Sequence, residues 1–103
     1  MQHTQQQIEK RYQLIRMIDK AIRLYGQFYS RALLIQDQTK FRQYLRMLDM
    51  MMDSAWYEYR NGHPEAIYAL VAHGFFIVET KIEDAIAFEA LQNRPQVKLR
   101  LVK

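Results

Sequence analysis

The sequence predicts an all-α fold: three long helices in a bundle, completed by pairing with a second copy of the chain. Three observations predict it. A seven-residue repeat runs through the first third of the 103 residues. Only three Gly and two Pro are present, too few breaks for a fold of many short strands. The segment 66–78 is apolar except for His73 and Gly74, too short to span a bilayer and too greasy to lie in water.

The first helix is expected over 5–35. Thr4 followed by Gln7 is a capping-box pattern that starts it. Ile8, Ile15, Ile22 and Tyr29 share one heptad position. Ile18, Tyr25 and Ala32 share a second, and Leu14, Ala21, Phe28 and Ile35 a third beside the first. The three rows together are expected to form one buried stripe that packs lengthwise on another helix. Gln13, Arg16, Lys20, Arg23 and Gln27 make the opposite, polar row. Gly26 lies inside the pattern and costs it about 1 kcal/mol of local preference, too little to cancel it.

Residues 36–39 are polar, and Asp37 or Thr39 can cap a second helix expected over 40–60. Phe41, Leu45, Leu48, Met52, Ala55 and Tyr59 recur in steps of three and four on its inner face. Asn61 and Gly62 form a stop signal, and Pro64 suits the start of the next helix.

The third helix is expected over 64–92, continuous through His73 and Gly74, with Ile82, Ala85, Ile86 and Leu91 carrying its buried face. The alternative is an α+β fold, with a short strand near 75–79 pairing with the C-terminal tail. A helix apolar all round needs cover all round, so this segment is expected near the twofold axis of a homodimer. Residues 1–92 then form one helical domain. Residues 93–103 alternate apolar and basic side chains and form an extended basic tail.

Chemistry is sparse. There is no Cys, which removes disulfides, thiol catalysis and thiolate metal sites. The three His fit no Glu-x-x-His or His-x-x-x-His pattern. His3 is in a polar terminus, His63 suits a turn, and His73 reads as a core or interface side chain. The carboxylate pairs Asp49/Asp53 and Glu79/Glu83, the latter beside Asp84, read as solvated faces near Arg42, Arg46 and Lys81. There is no phosphate loop or nucleophile elbow, and no motif points to a known family. The expectation is a non-enzyme without catalytic residues, metal or cofactor. The polar N-terminus lacks an apolar signal core, and a cytoplasmic location is expected.

Binding is where the sequence points. Met50, Met51, Trp56, Tyr57, Tyr68, Phe75, Phe76 and Ile77 are the candidate partner and dimer contacts, because Met and aromatic side chains supply adaptable area. The net charge of +4 is unevenly spread. Residues 1–64 carry ten basic and six acidic side chains, 65–92 one and five, and 93–103 four and none. An acidic third helix can satisfy a basic first helix within the fold or across a dimer. The competing use is phosphate binding by Arg16, Lys20, Arg23 and Arg31 with Lys98 and Arg100 of the tail. The expected role is therefore a dimeric helical module that binds another protein: an adaptor, inhibitor, immunity-type or regulatory protein. The alternative is a small nucleic-acid-associated regulator.

Overall fold

The computed structural model describes residues 4–93; from 94 onward the expected basic tail lies outside the described residues. Helix α1 is Gln5–Ala32. Helix α2 is Gln38–Arg60. Helix α3 is Glu65–Ala69, a π-helical turn spans Leu70–Gly74, and helix α4 is Phe75–Gln92. The last three form one unbroken rod. The architecture is thus three rods running up, down and up, each packed on the other two. The alternative strand near 75–79 does not form, because those residues continue the helix.

Local chemistry sets the ends. Thr4 Oγ1 accepts from the Gln7 N–H at 3.2 Å, and Gln7 Oε1 accepts from the Thr4 N–H at 2.9 Å. This is the capping box the sequence announces. Asp37 accepts from the Thr39 and Lys40 N–H groups and starts α2 at Gln38, two residues earlier than expected. At the far end of α2, Gly62 takes φ +92°, a left-handed conformation that costs glycine nothing. The His63 N–H then reaches back to the Glu58 carbonyl at 2.9 Å, which closes the helix end.

The core lies between the rods. Its centre is Ala21, Phe28, Ala32 and Ile35 from the first rod and its exit, Leu48 and Ala55 from α2, and Ile67, Leu70, Phe75, Val78, Ile82 and Ala85 from the third rod. Phe28 meets Phe75 edge-on, with ring centroids 5.6 Å apart. The expected inner face of α2 is observed: Phe41, Leu45, Met52 and Tyr59 pack around Leu48 and Ala55.

The third rod has to solve a problem of phase. Its buried residues fall at 67, 70, 75, 78, 82 and 85. Steps of three and four hold a heading on an α-helix, but a step of five swings it by about 140°. The π turn absorbs that step. The Phe75 N–H donates to the Leu70 carbonyl, five residues back, so both halves of the rod face the same core. The surplus residue is accommodated on the exposed side, where Ala72 and His73 lie. His73 is therefore a surface side chain of the single copy and not part of its core, because the turn that rescues Leu70 and Phe75 rotates it outward.

Two further expectations change. Leu91 is exposed, because six residues beyond Ala85 it stands about 120° from the buried heading of α4. The segment 66–78 is not buried all round: Phe76 and Ile77 are 67 % and 55 % exposed. Charge at Ile77 in a single copy would therefore remain solvated, and Ile77→Asp does not carry the folding cost expected of a buried site.

The phase argument predicts an asymmetry between deletions. Removing Ala72 turns the step of five into four, converts the π turn to α, and leaves stability within about 1 kcal/mol of the parent. Removing the equally exposed Arg46 swings half of α2 by about 100° and costs more than about 4 kcal/mol. Urea unfolding followed by circular dichroism compares the two directly.

Candidate interaction surface

Helix α1 carries two apolar stripes, and only one faces the bundle. Leu14, Met17, Ile18, Ala21, Leu24, Tyr25, Phe28 and Ala32 are buried or half-buried. The row that opened the repeat is on the other side. Ile8, Tyr12, Ile15, Ile22, Tyr29 and Leu33 are 39–65 % exposed. Their positions advance by four and three residues alternately, with Asp19 and Gly26 filling the two gaps in the series. The single buried stripe expected from the sequence thus divides: the rows through Leu14 and Ile18 turn inward and the row through Ile8 turns outward. The cause is geometric. A rod with two neighbours can bury only part of its circumference, and three adjacent apolar rows are wider than that part.

The start of α1 is also short of cover. No side chain from 4 to 13 is buried or half-buried; Leu14 is the first to be shielded. Around it, a shallow depression of about 590 Å³ opens between Lys10, Arg11 and Leu14 of α1 and Pro64 and Tyr68 at the start of the third rod. A second groove, about 570 Å³, runs between α2 and the third rod. Met50, Met51 and Ser54 form one wall, and Ala66, Ala69, His73 and Gly74 the other.

The candidate contacts named from sequence scatter over these faces. Met50, Tyr57, Tyr68, Phe76 and Ile77 are exposed, and Met50 lines the second groove together with half-buried Met51. Trp56 is half-buried and meets Tyr59 edge-on at 5.8 Å. Phe75 is buried against Phe28 and belongs to the core. The outward row of α1 carries more apolar area than any of these, although its spacing alone predicts a place in the core. The repeat itself was visible; its heading was not.

The basic residues also divide. Arg16, Lys20 and Arg23 share one exposed face of α1 beside the outward row. Arg23 pairs with Asp19 at 3.2 Å. Arg31 turns away and forms a two-pronged bond to Glu83 at 2.7 and 2.6 Å. Its hydrogen bonds hold the Glu83 carboxyl below its ordinary range; burial opposes them, and the positive charge of Arg31 adds to them. The pair therefore contributes fully above the ordinary carboxylate pKa of about 4.3 and fades as pH falls through the lower folded value. Lys98 and Arg100 lie outside the described residues.

Other carboxylates are occupied as well. The Tyr25 hydroxyl donates to Asp49 across the α1–α2 contact. Glu89 accepts from the Gln36 and Asp37 backbone N–H groups at 2.8 and 3.0 Å and so fastens the first connection to α4. Lys40 sits over the Phe88 ring at 5.0 Å. Among the described residues no group of three or more His, Asp or Glu converges as a metal site would require. No helix among them is long and apolar enough to cross a membrane.

Comparison with known proteins gives no match: no family model, no curated protein and no solved structure is similar to this chain.

The Tyr25–Asp49 bond makes a prediction about titration. Donation to Asp49, then burial, then the charge of that carboxylate push the Tyr25 phenol up to about 12. In the unfolded chain it ionises near 10, so the bond stabilises the fold fully below pH 10 and is lost as pH rises toward 12. Tyr25→Phe should cost about 1 kcal/mol at neutral pH. In an ultraviolet titration it should remove the phenol that ionises near pH 12.

Proposed function

We propose that this chain is a non-enzymatic helical interaction module that works as a dimer and binds or blocks another protein, in the manner of an adaptor, inhibitor, immunity-type or regulatory protein. One observation carries the reading: six large apolar side chains stand in heptad register on the outside of α1. Scattered apolar residues are normal on a protein surface, but six of them in one helical register usually mark a contact. The small-walled groove bordered by Met50 and Met51 supports it, since methionine adapts to varied partners. The ionisable groups support it differently. Asp49, Glu83 and Glu89 are each engaged in holding helices together, which leaves them without the open, convergent geometry a reaction would use. A cytoplasmic setting belongs to the same proposal.

A nucleic-acid role has weaker support. Of the four candidate cations described, Arg31 is committed to Glu83 and Arg23 to Asp19.

Affinity capture with the tagged full chain from its native host tests the reading. The expected result is co-purification of at least one protein in near-stoichiometric amount, unaffected by nuclease. Two results count against it. One is capture that vanishes with nuclease or in an Arg16→Ala, Lys20→Ala, Arg23→Ala variant, which transfers the role to nucleic acid. The other is a chain that stays monomeric and captures nothing.

A further inference from the structure

We propose that the outward row of α1 is the dimer interface, and that it pairs antiparallel with the same row of a second copy, about an axis passing beside Lys20 and Ala21. The inference rests on the reading of the chain as a self-associating module and adds which surface, which direction and which register.

Three observations support it. The first is area. Ile8, Tyr12, Ile15, Ile22, Tyr29 and Leu33 together expose roughly 700 Å², judged from their fractional exposures, against the ~800 Å² that each side gives to a standard protein pair. The second is spacing. The row alternates three- and four-residue steps over 8–33, and it is the seam geometry of a two-helix coiled coil.

The third is self-complementarity, and it selects the direction. Antiparallel pairing about that axis sets Ile8 against Leu33 of the other copy, and Tyr12 against Tyr29. It sets Ile15 against Gly26, where no atom crowds the absent side chain. Asp19 comes opposite Ile22 and within reach of Arg23 of the other copy, the same residue it pairs with at 3.2 Å in its own helix. Parallel pairing fails at two of these points. It stacks Asp19 on Asp19 in the seam, two like charges face to face although each keeps its own Arg23, and Gly26 on Gly26, which leaves a gap. Arg16 and Arg23 of opposite copies also approach each other in the antiparallel pair, with an Asp19 beside them.

The antiparallel arrangement also covers the exposed start of α1. Ile8 and Tyr12, which nothing in their own bundle shields, come to rest on Tyr29 and Leu33 at the far end of the second copy.

Sedimentation equilibrium of the full chain, with circular dichroism as a control for folding, decides the matter. The parent is expected to dimerise. Ile15→Arg, an exposed position in the single copy, should weaken dimerisation at least about 100-fold with helicity unchanged, equivalent to ~2.7 kcal/mol. Gly26→Trp, which fills the space meant for Ile15, should do the same. Phe76→Arg on the third rod should leave the dimer intact. Register is read by mixing Tyr12→Cys and Tyr29→Cys chains with a short bis-maleimide, which is clean because the parent has no Cys. Mixed cross-links are expected and like-with-like ones are not. A dimer that survives Ile15→Arg and Gly26→Trp but dissociates with Phe76→Arg overturns this interface while the self-associating reading stands. So does predominant Tyr12→Cys to Tyr12→Cys coupling, which would show the seam to be parallel. A parent that remains monomeric at about 100 μM, a concentration that would fill even weak dimers, overturns both.

Discussion

The core of this protein depends on one helical turn keeping two halves of a rod in phase. Ile67 and Leu70 lie before the π turn, and Phe75, Val78, Ile82 and Ala85 after it. Every long-range contact of the third rod follows from their agreement. Phe75 meets Phe28. One turn further along, Val78 and Ile82 fill the centre, and Glu83 reaches Arg31. Two turns beyond, Glu89 reaches the first connection. A strictly α-helical rod of the same sequence would align either the first pair or the last four with the core, and the unaligned set would be left in water. The π turn costs some hydrogen-bond quality and saves the burial of at least two large side chains, each worth about 1.5–3 kcal/mol.

That balance explains what was legible in the sequence and what was not. Caps are local: Thr4 with Gln7, Asp37, and Gly62 act within a few residues, and all three work as their residue types require. The heading of α2 was also legible, because Arg42, Arg46, Asp49 and Asp53 leave it one apolar face. The heading of α1 was not. It has two adjoining apolar faces, and nothing local says which one meets the bundle. That choice is made by Leu48, Phe75 and their neighbours, far away in the chain. The π turn was written in the spacing of 67, 70 and 75, yet Val71, Phe76 and Ile77 are apolar too and hide the interrupted rhythm.

The candidate surface was legible in the same partial way. The heptad of Ile8, Ile15, Ile22 and Tyr29 is plain in the sequence, and with Tyr12 and Leu33 it forms a row of exposed large apolar side chains along α1. Its spacing predicts burial because hydrophobic pattern reports the need for cover, without reporting who supplies it. The cross-helix polar pairs were illegible for a different reason. Tyr25 with Asp49, Arg31 with Glu83, and Glu89 with the connection join residues 24 to 53 positions apart. A single chain carries no periodic trace of such partners.

The grip of Glu89 on Gln36 and Asp37 has a consequence for the order in which the protein is made. Those two amides belong to the first connection, and the carboxylate that receives them comes 52 and 53 residues later. As the chain leaves the ribosome, α1 and α2 emerge with that corner unfastened, and it can close only when the last turns of α4 arrive. Closing distant contacts is the slow part of folding. That corner is therefore secured only late, and a chain stalled before Glu89 would hold its first two helices by their own contacts, Tyr25 with Asp49 among them, with the connection between them unfastened.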